Sequence, residues 1–140
     1  MTARCGEDFG AATITWLSQV SFQPPLVAAA IRENSSVFRC LVASGTAAVH
    51  MIASDQTNLA QRFFCPTRAA EGKINGEPFV SGPNGLPILP STPAHIECRL
   101  IHATRHVGDH ALVVMEVMDA VWRAASRPLT VAESPWEYGG

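Results

Sequence analysis

The segment 111–122, ALVVMEVMDAVW, constrains this chain more than any other. A strand sends alternate side chains to opposite faces. Here Leu112, Val114 and Met118 form one set, and Val113, Met115 and Val117 form the other. A lone barrel buries only one of them, so a strand that is apolar on both faces belongs in a barrel wall or at a subunit interface. The segment HIECRLI at 95–101 alternates more simply, with Ile96, Cys98 and Leu100 on one face and His95, Glu97 and Arg99 on the other.

Further strands are expected at 11–21, at 26–32 (LVAAAIR, read as fully buried because it is short, apolar and after two prolines) and at 46–52. Between them ENSSVFRCLVAS changes period. Val37, Phe38, Leu41 and Val42 fall at helical spacing, Asn34 or Ser35 stands where an N-cap belongs, and Gly45 where a C-cap glycine belongs. Ser54 opens a second short helix through DQTNLAQRFF. Residues 65–92 are rich in Pro and Gly and read as a long surface excursion, with a hairpin around Asn75-Gly76. Five or six strands, two short helices and antiparallel connections in 140 residues describe one mainly β domain over 1–140, a small barrel decorated with helices.

Composition excludes several function classes. Net charge is −2 with no basic stripe, which argues against nucleic acid as a partner. The longest apolar runs, PPLVAAAI and ALVVM, are too short to span a membrane. No charged, then apolar, leader opens the sequence, so a cytoplasmic setting is expected. Charged residues are only 16%, which fits a surface partly hidden in an oligomer. The closest two of the four cysteines, Cys40 and Cys65, are 25 residues apart, so Cys5, Cys40, Cys65 and Cys98 form no CxxC motif and read as reduced structural thiols. His50, His95, His102 and His106 lack metal-ligand spacing, read as structural or surface residues, and no metal is expected.

Three stretches could carry chemistry. In TITWLSQVSFQPPLV, at 13–27, Thr13, Thr15, Ser18 and Gln19 could line a flat polar ligand with Trp16 stacked on it; a barrel strand with a polar outer face explains them equally. In RENSSVFR, Asn34, Ser35 and Ser36 at a helix start, flanked by Arg32 and Arg39, could hold a phosphate; an ordinary cap explains them too. In VGDHAL, His110 follows a Gly-Asp turn at a barrel rim and either orients a substrate or serves as a turn residue. No GxGxxG, GxxxxGK[ST] or GxSxG element is present.

Together these stretches resemble the flavin reductase-like family of the FMN-binding split barrel. TITWLSQVSFQPPLVAAAI is similar to the family's T-x-x-[SW]-x-x-S-x-x-PPLV segment, and NSSVFRCLVASGTAAVHMI to the Asn-Ser turn, helix, Gly and strand that follow it. DQTNLAQRFF resembles the next helix, the late segment GLPILPST through MDA carries the Gly-Asp-His turn, and PWEYGG resembles the aromatic tail. The resemblance implies a Greek-key split β-barrel that forms a homodimer, binds FMN near the interface and passes hydride from NAD(P)H to flavin. It also implies a partner monooxygenase for some members, or, alternatively, a non-catalytic FMN electron-transfer protein; a barrel that has lost flavin is a third reading. By position, Thr13, Thr15, Trp16, Leu17 and Ser18 would border the isoalloxazine and ribityl chain, and Asn34, Ser35 and Ser36 would hold the phosphate. His110 would stand where the nicotinamide docks, and Tyr138 would approach the ring edge. Two features depart from the family: MTARCGEDFG stands where an additional segment usually leads into the first strand, which implies a short first strand, and His50 stands where Asn is more frequent.

Overall fold

The computed structural model describes residues 1–136, and of Asn84 only the backbone. Strands Thr2–Cys5 (β1) and Asp8–Ala11 (β2) form a hairpin whose turn is carried by Gly6 at φ 60°. The chain then runs through Leu17–Ser21 (β3) and Leu26–Arg32 (β4), helix Ser36–Ser44 (α1), Thr46–Met51 (β5) and helix Thr57–Arg62 (α2). Five two-residue strands follow in the long excursion: Ala69–Ala70 (β6), Lys73–Ile74 (β7), Glu77–Pro78 (β8), Val80–Ser81 (β9) and Pro87–Ile88 (β10). Ala94–Thr104 (β11) and His110–Trp122 (β12) complete the fold.

Seven strands make one antiparallel sheet in the order β2-β1-β5-β11-β12-β4-β3. The sheet does not close: β2 and β3 are its two edges, and residues 12–16 run from one to the other. This corrects the expectation of a single strand over 11–21. After Ala11 the chain turns toward α2, where the Thr13 N–H donates to the Phe63 carbonyl at 3.3 Å and the Thr13 hydroxyl to the Ala60 carbonyl at 2.7 Å. These bonds replace sheet partners, and pairing resumes only at Leu17.

One face of the sheet is the core. Val27, Ala29 and Ile31 of β4 and Ala111, Val113 and Met115 of β12 pack with Val37, Phe38, Cys40 and Leu41 of α1. Burying a Leu, Val or Phe side chain stabilises by about 1.5–3 kcal/mol. The opposite face is only partly covered, so β4 is buried on one side rather than both; Ala28 and Ala30 remain half-buried. Leu112 and Met118 of β12 are about half exposed, at 51% and 57%.

Helix α1 starts and stops as its residues dictate. Ser35 is the N-cap, its oxygen accepting from the Phe38 N–H at 3.3 Å, and Gly45 ends the helix at φ 74°. The second helix begins at Thr57 after Gln56, not at Ser54. The Asn75-Gly76 hairpin is present between β7 and β8, with both residues at positive φ as a type I′ turn requires. His95 departs from the simple alternation of β11. It is buried, with the ring of His50 stacked on it from the neighbouring strand β5.

Gly10 decides how closely β2 approaches α1. A Cβ there would lie 2.4 Å from Val37 Cα and 2.5 Å from the Ser36 carbonyl oxygen. Both neighbours are backbone and cannot rotate away. Gly10→Ala is expected to destabilise the fold by about 3 kcal/mol, at the upper end of overpacking costs. Urea unfolding checks this, and an unchanged midpoint would mean that the helix does not rest on β2.

Candidate flavin site at the open rim of the sheet

Register gathers the predicted residues at one end of the sheet. His110, the first residue of β12, lies opposite Arg32, the last of β4. The Ala30 N–H donates to the Trp16 carbonyl at 3.0 Å, and the Glu33 N–H to the Asp109 carbonyl at 3.4 Å. The start of β3, the 107–110 turn and the turn into α1 therefore share a rim. There the Trp16 and His110 rings meet, with centroids 4.9 Å apart and planes tilted by 55°. Trp16 is 49% exposed.

His110 is held in one orientation. Its Nδ1 lies 2.9 Å from Asp109 Oδ1. That hydrogen bond, reinforced by the charge of the imidazole, holds the Asp109 carboxyl below the usual carboxylate range. In the tautomer that carries its proton on Nδ1, donated to Asp109, Nε2 is the acceptor left for a ligand.

The start of α1 divides its polar residues between two flanks. The Ser35 hydroxyl donates to the Arg32 carbonyl at 2.7 Å while it caps the helix. Asn34 is exposed, and with Ser35 it borders an outer groove of about 290 Å3 together with Glu33, Phe38, Arg39 and Arg105. The Arg105 guanidinium stacks on Phe38 at 5.4 Å and lies 3.7 Å from Glu33. Ser36 turns the other way, and its hydroxyl meets Thr67 Oγ1 at 2.7 Å. Thr67 Oγ1 also accepts from the Ala11 N–H at 2.9 Å and donates to the Ala11 carbonyl at 3.1 Å. Proton accounting then makes Ser36 the donor to Thr67.

The remaining predicted residues are spread along the split. Thr13 and Leu17 border an inner cavity of about 110 Å3 with Ile14, His50, Phe63 and Leu89. Thr15 and Ser18 are exposed, and the Ser18 hydroxyl donates to the Gln19 carbonyl at 3.2 Å. Tyr138 lies outside the described residues. At the inner cavity His50 is fixed by the Leu89 N–H, which donates to its Nε2 at 3.1 Å. Its ring stacks on His95 at 5.7 Å, and burial lowers its pKa well below the ordinary histidine value.

Sequence reasoning missed Thr67 and Arg105. Thr67 sits in the Pro- and Gly-rich excursion, where no periodicity shows which side chains turn inward. Arg105 follows β11 in a turn rich in charge, and only the fold brings it to Phe38. Asp109 was legible as half of a Gly-Asp turn but not as the partner of His110.

The flavin reductase like domain pattern matches residues 1–135. The chain belongs to the flavin reductase-like family. An FMN reductase (NADH), SmoA, of Agrobacterium fabrum is 33% identical over 114 residues, covering 79% of this chain and 61% of that protein. An NADH:FMN oxidoreductase of Rhodococcus erythropolis is 35% identical over 103 residues, covering 73% and 52%. The chain thus spans between about half and three fifths of these family members. The crystal structure of a flavin reductase domain protein from Arthrobacter sp. FB24 superposes with a TM-score of 0.79 at 24% identity, covering 91% of this chain and 77% of that one. That likeness bears out the mainly β split-barrel fold expected from the sequence.

Proposed function

We propose that this chain is a single FMN-binding split-barrel domain that reduces flavin with NAD(P)H. The observation that carries the reading is the Trp16–His110 pair at the rim, beside the helix start at Asn34–Ser36. A flavin nucleotide fits this donor set: a half-exposed indole offers a flat apolar face, and a helix N-terminus offers N–H groups and partial positive charge to a phosphate. The chemistry supplied by a bound FMN is acceptance of hydride from the reduced nicotinamide. The chain's part is orientation. Trp16, Leu17, Thr15 and Ser18 border the ring and ribityl chain, with Thr13 anchoring that segment through Ala60. The exposed Asn34 side chain and the helix start at Ser35 and Ser36 hold the phosphate, the two serine hydroxyls already being donated to Arg32 and Thr67, and Tyr138 is assigned to the ring edge by sequence position alone. His110 Nε2 accepts a hydrogen bond from the nicotinamide carboxamide. The relatives named for NADH and FMN support both ligands.

The functional unit is a homodimer. Support comes from the uncovered face, where Leu112 and Met118 of β12 and Ile101 of β11 are each about half exposed in the single chain, at 51%, 57% and 52%. Leu112 lies opposite Ala30, which bonds the Trp16 carbonyl, so a second copy on this face borders the flavin site. Leu112→Glu should convert a dimer at micromolar concentration to monomers in sedimentation velocity. A wild-type protein that is already monomeric would contradict the arrangement. The cysteines stand as thiols, which supports a cytoplasmic setting, and no described helix is long and apolar enough to cross a membrane. Reduced flavin released from the dimer would serve a flavin-dependent monooxygenase.

Titration of FMN and of riboflavin into the protein, followed by indole fluorescence, tests the site. With Asn34→Ala, FMN affinity should fall by about 1.5–3 kcal/mol, the value of a hydrogen bond to a charged group, while riboflavin is unaffected. Equal losses for both ligands would remove the phosphate from this turn.

A further inference from the structure

Two of the four cysteines meet. Cys5 ends β1, and in register it pairs with Asp8 of β2 across the hairpin turn. Cys40 Sγ of α1 lies 3.7 Å from that same Asp8 carbonyl, and Cys5 packs against the cluster that contains Cys40. We propose that Cys5 and Cys40 are a peroxide-reactive thiol pair that closes to an internal disulfide between β1 and α1.

The surroundings divide the labour. Cys5 is partly exposed, so a small oxidant reaches it, whereas Cys40 has no exposed surface. Burial, and next a hydrogen bond to the Cys5 sulfur, push the Cys40 thiol up to about 12. Cys40 therefore stays protonated and is not the first target, while Asp8 borders both it and Cys5. The Cys5 sulfur attacks one oxygen of hydrogen peroxide. The O–O bond breaks, hydroxide leaves and takes up a proton as water, and Cys5 becomes a sulfenic acid. The Cys40 sulfur then attacks the Cys5 sulfur. The S–O bond breaks, the S–S bond forms, and the departing hydroxide takes the Cys40 proton as a second water. The two thiols lose two electrons to one peroxide. Reduced flavin that meets dioxygen yields hydrogen peroxide, so the reaction proposed above has the oxidant as its by-product; only this source of peroxide rests on that reading. The crosslink ties the β1–β2 hairpin to the helix that Asn34 and Ser35 lead into.

The test uses the full chain, reduced, freed of reductant and exposed to hydrogen peroxide with no flavin present. Thiols are then counted in denaturant, and peptides are mapped without reduction. The count should fall from four to two, with Cys5 and Cys40 in one crosslinked peptide pair and the thiols of Cys65 and Cys98 retained. Cys40→Ser should leave a Cys5 sulfenic acid that dimedone traps, and Cys5→Ser should leave Cys40 unmodified. Oxidation confined to the exposed Cys65, as sulfenic acid or as a bridge between two chains, would overturn the proposal. So would recovery of Cys5 and Cys40 as free thiols. The mapping of the unmutated protein decides even where a variant does not fold. Because peroxide is added directly, failure here is distinct from failure of flavin reduction, which is read by nicotinamide oxidation.

Discussion

His110→Ala should lower kcat/KM for NAD(P)H by about 5- to 150-fold while leaving the FMN dissociation constant nearly unchanged. The imidazole is tied through Nδ1 to Asp109 and covered by Trp16, which leaves Nε2 as its one acceptor for a ligand. Hydride transfer needs no base at the donor carbon, so the residue's work is positioning. A lost positioning contact costs about 1–3 kcal/mol, which is that range in rate. Asp109→Asn should show a smaller loss of the same kind, because the tautomer is then no longer enforced. If His110→Ala instead loses FMN and turns over normally at saturating flavin, the imidazole is a flavin ligand. If neither constant changes, it is a turn residue and the rim has been misread.

A second large effect concerns His50 and acid. Burial first, then the nearby positive charges and His95, lower the His50 pKa well below its ordinary value of 6.5. In the unfolded chain His50 takes up its proton near pH 6.5, and in the folded protein only at lower pH. The unfolded state therefore binds more protons in between. The His50 contribution to stability is complete above pH 6.5 and falls by about 1.4 kcal/mol for each pH unit below it, until the folded pKa is reached. Protonation also forces a hydrogen onto Nε2, where the Leu89 N–H now donates, so the loss begins where the excursion docks on the barrel. His50→Gln keeps an acceptor for Leu89 but does not titrate. Burial also lowers the pKa of the Met1 amine from 8.0 to about 5, which gives an acid slope of its own, so the drop in urea midpoint from pH 7.5 to 5.5 should be smaller in this variant than in the wild type but not absent. An equal acid slope in both would assign the effect elsewhere.

Much of the fold was legible because its strongest elements are local. The Ser35 cap, the Gly45 C-cap, the 26–32 strand and the Asn75-Gly76 hairpin depend on neighbours within a few residues, and the structure has them. The two-sided strand at 110–122 was legible too, since its apolar residues fall at both parities and the single chain leaves one set partly uncovered. What was not legible depends on long-range partners. The break after Ala11 arises because Thr13 bonds Ala60 and Phe63, and nothing near Thr13 in sequence announces them. The burial of His95 depends on the His50 ring, which the β5–β11 register places beside it. At the candidate site, Trp16 and His110 were each visible, but their contact is a product of the β3–β4–β12 register. The division of Asn34 and Ser35 from Ser36 follows from Thr67, whose position only the fold reveals.

The central claim is that this rim holds FMN for reduction by a nicotinamide. The most direct test is an anaerobic addition of NADH, and separately of NADPH, to the protein with FMN at saturation, followed at 450 and 340 nm. One of the two nucleotides should bleach the flavin band with one nicotinamide oxidised per FMN, at a rate far above that of free FMN. An FMN band that is perturbed by the protein yet unchanged by either nucleotide would contradict reduction and leave a flavin-binding electron carrier. No perturbation of FMN at any protein concentration would contradict the site itself.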